Sequence, residues 1–538
     1  MSLSCTLMVI DSGIVMPSSW EIVALGSARS CCRKPASRAD FSTMCCSISS
    51  PLFMSGTPVL AICSHGEKAS PKHGRTVARL GAPGNVPGEV RPTHGAGSGR
   101  ISRSRIEEHV GGSSTSMLGR ESLRRIAVVG RGTAGCLAAA SVTRLLRGSD
   151  HELHHIYDSR IPVIGVGEGS WPSLVQELAR LTELPHETIQ QRLNGTRKYG
   201  VAFEGWGRRD KDFTHYFTPQ QVSYAYHLSA DLLAALLQES TTAQHIDAEV
   251  LSITKVDAGA RVEFDGRTPE RYDLVFDARG FPKELLADEH IDISFIPTNT
   301  AVIRRAPAIA LREREGVAVQ PTYTRAVARR HGWVFVIPLT AHTSYGYIFN
   351  RDVSTLAEVE SDFNALLEAE DVQDFEQRAV LRFPNFVHRQ IYDGAVARIG
   401  NAAAFMEPLE ATAIVSAQLQ IGMILQMRLN RPAEHLERDV PVVNRFLVNT
   451  VLRYGLFVGW HYSCGSSYDS DFWRHAIDHV WPSHRQAADP RRVHCNALRT
   501  FDDMQALLRQ TVIDPDDWNR MCAVPLTSFA QMSQGLGC

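Results

Sequence analysis

The stretch that most constrains the fold is residues 125–139, Arg-Ile-Ala-Val-Val-Gly-Arg-Gly-Thr-Ala-Gly-Cys-Leu-Ala-Ala. Ile126 to Val129 make a short, apolar, β-branched run, as a buried parallel strand requires. Gly130, Gly132 and Gly135 follow in G-x-G-x-x-G spacing. Apolar residues then continue from Cys136 through Val142 to Leu145 and Leu146, as a helix. Strand, glycine turn and helix in that order open a dinucleotide-binding fold. Gly130 allows the tight turn, Gly132 lets a pyrophosphate approach the backbone, and Gly135 lets helix and strand pack closely. Thr133 and Ala134 open the helix, whose N-terminus faces the phosphate. His154 to Asp158 reads as the second strand, ending in a carboxylate suited to a ribose hydroxyl.

Composition excludes other classes. A formal net charge of −2 gives no electrostatic pull toward nucleic acid or an anionic membrane. No run approaches the roughly 18 apolar residues of a membrane span. Lys and Arg are absent before Arg29, and Asp11 interrupts the early apolar stretch, so the first residues do not read as a secretory signal. Of the eleven cysteines, Cys5, Cys31, Cys32, Cys45, Cys46 and Cys63 precede residue 64, and neither group shows paired metal-ligand spacing. A reduced, cytoplasmic protein is the expectation. His151, His154 and His155 lack a matching acid, so no metal is expected.

Residues 1–116 are rich in Ser, Gly, Arg, Pro and Cys and hold no helical or strand period. Such a composition buries too little apolar surface to offset chain entropy. The expectation is a disordered or non-native N-terminal extension, with a targeting segment as the alternative, and one enzyme domain over 117–538. Within it, 250–256 and 260–264 alternate like antiparallel strands. Residues 272–280 form a buried strand running into a turn at Gly280. Strands at 300–304, 333–339 and 344–350 suggest a mixed sheet forming the floor of a second domain. Residues 230–237 and 356–367 read as helices, 398–404 as strand, glycine and helix start, and 161–172 as a glycine-punctuated loop. The remainder from Ala413 reads as mostly helical, with an aromatic, loop-like stretch at 460–473.

Four motifs, in order, resemble the flavin-dependent halogenases of the tryptophan-halogenase type: the glycine turn; Gly165-Val-Gly-Glu-Gly-Ser-Trp-Pro172; Trp333-Val-Phe-Val-Ile-Pro338; and Phe405-Met-Glu-Pro-Leu-Glu-Ala-Thr412. Asn194-Gly-Thr-Arg-Lys198 matches the stretch that carries the family's catalytic lysine. The departures are Phe335 for the second tryptophan of W-x-W-x-I-P, Gly400-Asn401 for Gly-Asp beside the flavin, and Thr412-Ala413 for Thr-Gly at the halide site. Asn keeps an acceptor but loses the charge. Ala413 supplies the same backbone N–H unless the position needs a positive φ.

The resemblance implies an α/β fold: an FAD-binding Rossmann-like domain, a mixed-sheet substrate domain and a helical C-terminal part. It implies FADH2 from a separate flavin reductase, O2, and chloride or bromide, which yield hypohalous acid for an electron-rich, indole-type aromatic. Val166, Gly167 and Glu168 would touch the flavin with Gly280, Gly400 and Asn401. Lys198 would orient the hypohalous acid, Glu410 would accept the ring proton, and the N–H groups of Thr412 and Ala413 would hold halide. Read from residue types alone, the alternative for Lys198 is a solvated lysine and for Glu410 a helix-capping carboxylate, a role that suits Glu407 better. His215, Phe217 and Trp473 are chosen from the aromatic and histidine set to line the ring pocket. The alternatives are an FAD-dependent hydroxylase and a non-catalytic flavin-fold binding protein. Oligomeric state is open, with a homodimer as the working expectation.

Overall fold

The computed structural model describes residues 123–163, 167–209, 212–218, 222–257, 259–309, 312–314, 317–319, 323–487 and 524–537, together with 7–9 and 15–17. Apart from the paired strands Leu7–Val9 and Val15–Pro17, the expected extension 1–116 lies outside the described residues, as does Val166. The chain divides into two compact units, residues 1–8 with 15–113, and residues 9–14 with 114–538. The second carries everything that follows.

A five-stranded sheet forms its base. The strands run in the order Gln244–Asp247, Glu152–Tyr157, Arg125–Val129, Leu274–Asp277 and Val396–Arg398, all parallel. Ile126, Ala127, Val128 and Val129 are buried, which explains their unbroken apolar run. Helix Thr133–Leu145 covers one face with a buried row from Gly135 to Thr143. The antiparallel meander Val250–Val256, Gly259–Phe264 and Arg267–Tyr272 precedes the return strand Leu274–Asp277.

The second layer is a mixed seven-stranded sheet. Its order is Glu376–Arg382, Thr300–Pro307, His342–Phe349, Gly332–Pro338, Tyr323–Arg329, Gly200–Glu204 and Phe213–Tyr216. Only Tyr323–Arg329 and Gly200–Glu204 run parallel. Helix Leu356–Ala369 buries Val359, Phe363, Leu366 and Leu367, and a capping box between Thr355 and Glu358 fixes its start.

Two expectations need correcting here. The stretch 161–172 is not all loop: Gly167–Gly169 is a strand, paired with Ala225–Ser229 and so joined to Thr196–Lys198 in a three-stranded sheet. The stretch 460–473 is loop only over 464–470. Trp460 to Ser463 end the long helix Leu436–Ser463, and Phe472 and Trp473 open helix Asp471–Ala487. Aromatic bulk obscured the period, because nearly every face of the long helix is packed: 18 of its residues are buried. Helix Leu526–Leu536 closes over this region, with Phe529 against Phe457 and Trp460 at 4.7 and 4.6 Å between ring centres.

Candidate active site

The glycine turn has the geometry its spacing demands. Gly130 sits at φ +109°, and a Cβ there would lie 2.4 Å from the Ala278 carbonyl oxygen. A Cβ on Gly135 would lie 1.9 Å from the Gly130 carbonyl oxygen, so the helix seats directly on the turn. Gly132 is different: nothing lies within 4 Å of its Cβ position. It is the N-cap of helix Thr133–Leu145, which has no side-chain cap and no acid in its first turn. Open space above unsatisfied N–H groups is what a pyrophosphate requires, so these residues fit FAD. His155, which sequence reasoning passed over, braces the turn from beneath through Nε2 and the Gly130 carbonyl at 2.9 Å.

Asp158 follows the second strand as expected, but its carboxylate is shared. Arg160 donates to both oxygens, Nε to Oδ1 at 2.8 Å and Nη2 to Oδ2 at 2.7 Å. Gly280 adopts φ +95° beyond the return strand. Gly400 and Asn401 begin a single 3-10 turn, and share one recess with Phe405, Met406, Thr412 and Ala413. Two separately chosen motifs, Gly400-Asn401 and the segment from Phe405 to Ala413, thus meet at one place.

That recess leads to the start of helix Thr412–Asn430. The left-handed residue is Ala411, at φ 53°, and not Ala413, so alanine in place of glycine at 413 is free of backbone strain. Strain at a non-glycine N-cap, with no side-chain cap, leaves the first N–H groups of a 19-residue helix facing the recess. Two buried carboxyls precede it. Glu407 is no helix cap. Its Oε2 accepts from Thr298 at 2.6 Å, Tyr462 at 2.5 Å and Trp333 Nε1 at 3.4 Å. Burial nevertheless pushes its carboxyl up to about 7. Glu410 goes the other way. Burial alone would raise it, but the His215 charge and hydrogen bonds from His215 and His461 hold it far below the usual carboxylate range. His461 Nε2 is 2.9 Å and His215 Nδ1 3.4 Å from Glu410 Oε1. Two acids three residues apart thus differ in their affinity for a proton because their partners differ. The Glu410 carbonyl accepts from Trp171 Nε1 at 2.8 Å, which ties the strap strand to this segment.

Lys198 is not solvated. It ends the strand Thr196–Lys198 at 1% exposure, and burial lowers its ammonium from 10.5 to about 8 against the opposing pull of Glu410. Phe217 lies across it, with Nζ 5.4 Å from the ring centre. Among the described residues no side chain or carbonyl accepts a hydrogen bond from Nζ. Gly169, beside Glu168 on the strap, leaves it room: a Cβ there would lie 2.9 Å from Nζ. Burial also pushes the Glu168 carboxyl up to about 7.

His215 and Phe217 therefore join Lys198 and Glu410, whereas Trp473 does not. Trp473 is buried against Trp206, with ring centres 5.1 Å apart, and against Phe472 and Tyr462, and its Nε1 donates to the Arg329 carbonyl. Its faces are taken by core, which removes it from the substrate wall. His461 joins the group instead through its contact with Glu410, not as a wall residue. The cue was its position, one turn from the end of a long apolar helix, but nothing local paired it with Glu410. Among the described residues, Glu289, His290 and His388 bring possible metal-ligand atoms within 4.8 Å. The Gln390 N–H donates to His388 Nδ1 at 3.1 Å, which leaves the ring hydrogen on Nε2 and opposes ligation there.

With this geometry in place, comparison with known proteins becomes informative. The family model described as tryptophan halogenase matches residues 125–222 and 218–489. The chain belongs to the tryptophan halogenase family. The tryptophan 6-halogenase SttH of Streptomyces toxytricini is 23% identical over 433 residues, covering 65% of this chain and 80% of that protein. The tryptophan 7-halogenase RebH of Lentzea aerocolonigenes is 22% identical over 434 residues, covering 65% and 78%. BrvH, a flavin-dependent halogenase from Brevundimonas sp. BAL3, superposes with a TM-score of 0.62 at 21% identity, covering 77% of this chain and 90% of that one. This tryptophan halogenase family member is a flavin-dependent enzyme that uses FADH2 from a flavin reductase, together with halide. No helix among its described residues is long and apolar enough to cross a membrane.

Proposed function

We propose that the enzyme halogenates the ring of an indole-type substrate in the pocket between Lys198 and Glu410, with His215 and Phe217 against the ring. The observation that carries this reading is the burial of an ammonium and a carboxylate together, at 1% and 4% exposure, beside aromatic side chains. Reduced FAD, with O2 and halide, supplies the electrophilic halogen as hypohalous acid. The glycine turn would bind the pyrophosphate, the Gly400–Asn401 turn would face the flavin, and the N–H groups of Thr412 and Ala413 would hold halide.

Lys198 donates a hydrogen bond to the oxygen of the hypohalous acid and makes that oxygen the better leaving group. As the ring carbon bonds to halogen, the halogen–oxygen bond breaks and the oxygen leaves as water with the Lys198 proton. Glu410 takes the proton from the substituted ring carbon, so aromatic substrate and hypohalous acid become aryl halide and water. Packing by Phe217, Phe203 and Phe457 excludes bulk water, which would quench the oxidant.

We assign the catalytic unit to residues 117–538, which a chain beginning at Met117 tests by folding and binding flavin. A cytoplasmic setting suits a reaction fed by a reductase, and the expected homodimer is tested by light scattering. The function itself is tested by incubating the protein with FAD, a reductase, NADH, O2 and bromide or chloride, and weighing the indole products. Hydroxylated indole with no halogenated product would overturn the reading.

A further inference from the structure

The strand Glu152–Tyr157 hands the chain to Asp158, and the loop that follows is held on both flanks. Ser159 donates its N–H to Asp247 Oδ1 at 2.9 Å. Arg131, inside the glycine turn, donates Nη2 to the carbonyls of Ser159 and Ile161 at 3.1 and 2.8 Å. The backbone that carries Arg160 is therefore tied down, while the Arg160 side chain is 73% exposed.

A carboxylate offers about four lone-pair positions. At Asp158 one residue takes most of them. The Arg160 backbone N–H and Nε donate to Oδ1 at 2.9 and 2.8 Å, and Nη2 donates to Oδ2 at 2.7 Å. Nε also lies 3.1 Å from Oδ2. The Asp158 side chain is only 10% exposed beside this fork. A ribose hydroxyl that donates to Asp158 has to displace the guanidinium from one oxygen or the other.

The guanidinium has a second carboxylate within reach. Nη2 also donates to Glu249 Oε2 at 2.8 Å, and the Glu249 side chain is 48% exposed. Glu249 lies just before the meander strand Val250–Val256, outside the glycine turn. The Arg160 N–H belongs to the tied backbone, so it stays on Oδ1 and keeps Asp158 oriented whichever way the side chain turns.

We infer that Arg160 is a side chain with two positions: on Asp158, where it competes with the adenosine ribose of FAD, and on Glu249, which leaves Asp158 to the ribose. Arg160 and Glu249 are positioning residues that act through Asp158. The inference rests on the assignment of the glycine turn and Asp158 to FAD. Its consequence is an apparent FAD affinity lowered by the fraction of molecules in which Asp158 is masked. That suits an enzyme fed with FADH2 by a separate reductase, since its flavin has to exchange rather than stay.

The test measures FAD affinity of the full-length protein by equilibrium dialysis, with no turnover. Arg160→Ala should tighten FAD about tenfold, the gain expected if nine molecules in about ten are masked. Arg160→Lys keeps the charge but loses the fork, and should fall between Arg160→Ala and the unaltered protein. Glu249→Gln removes the second position and should weaken FAD about threefold or more, but should change nothing once Arg160 is alanine. Asp158→Asn should weaken FAD, and adding Arg160→Ala to it should alter the affinity by less than about twofold. The pairs are exposed on the arginine side, so thermal unfolding without flavin should barely move for Arg160→Ala. Equal or weaker FAD binding by Arg160→Ala, with Asp158→Asn weakened as expected, overturns the two-position arginine and leaves Asp158 its ribose role. FAD affinity unchanged by Asp158→Asn removes that role, and the inference falls with it.

Discussion

Glu410 and His461 share a proton whose place is set by a third residue. His461 Nδ1 lies 2.7 Å from the Phe457 carbonyl, which can only accept, so Nδ1 carries a hydrogen. The Nε2 contact to Glu410 Oε1 at 2.9 Å then also holds a hydrogen, donated by the ring to an ionised carboxylate. The pair lies across 51 residues of sequence and is buried on both sides. A carboxylate so held is ionised throughout the working pH range.

Replacing Glu410 by Gln keeps the shape and removes the proton acceptor. Halogenation should slow by about 10²-fold or more, the usual scale for a positioned acid–base group. Flavin binding and peroxide release without product should continue. Single-turnover product formation measures the first, and peroxide detection the second. Since Glu410 is held far below the usual range, no loss of activity near pH 4 to 5 should trace to it.

Lys198 carries the opposite liability. Its ammonium is lowered to about 8 by burial, so the folded protein holds a charge it would rather lose. The unfolded chain binds that proton up to 10.5, so stability rises with pH between about 8 and 10.5, and the full penalty is present below 8. Lys198→Met should remove that penalty of roughly 3 kcal/mol at pH 7 and raise Tm by several degrees. Glu410 stays paired with its histidines in this variant. The same change should abolish halogenation while peroxide output persists. Thermal unfolding at pH 7 and pH 10 checks the sign, because the difference between the two proteins should shrink at the higher pH.

The glycine turn could be read from sequence because all its determinants lie within ten residues of one another. Lys198, Glu410 and the Thr412–Ala413 helix start were found through short motifs of the same kind. What sequence could not supply was the partnering. His461 reaches Glu410, and Arg160 reaches Glu249, only because separate sheets and helices bring them together. Trp473 shows the converse error. A tryptophan in an aromatic stretch reads alike whether its faces meet a ligand or meet Trp206 and Tyr462, and only packing decides. The Thr412–Ala413 departure is harmless to the backbone, since the positive φ falls two residues earlier, on Ala411.

Gly132 and Gly135 should respond differently to the same change. Gly132→Ala adds a methyl where no protein atom lies within 4 Å, at an ordinary φ of −70°. Its stability should move by no more than about 0.5 kcal/mol. The methyl would occupy the path of the pyrophosphate, so FAD affinity should drop about tenfold or more. Gly135→Ala places a methyl 1.9 Å from the Gly130 carbonyl oxygen and should destabilise the domain itself. Flavin titration and thermal unfolding of both variants separate the two effects. Neither protein should oxidise NADH without a reductase, since the one glycine turn found is assigned to FAD.

The substrate prediction rests on where the acids of the C-terminal aromatic stretch have gone. A pocket for free tryptophan needs charged partners for both the ammonium and the carboxylate, because an unpaired buried charge is costly. The acids available between Trp460 and Trp473 are Asp469 and Asp471. Their side chains are 88% and 85% exposed, and both are paired with Arg474 on the surface. Neither is turned toward Lys198 and Glu410. Around that pair the structure offers Phe217, Phe203, Phe457 and the ring of His215, a wall suited to a flat, uncharged ring. Indole, a substituted indole or a larger indole-containing molecule should therefore be halogenated faster than free tryptophan. Competition between indole and tryptophan at equal concentration measures the ratio of kcat/KM directly. A preference for tryptophan beyond about tenfold, or roughly 1.4 kcal/mol in the transition state, would mean that the pocket holds a zwitterion by groups other than these.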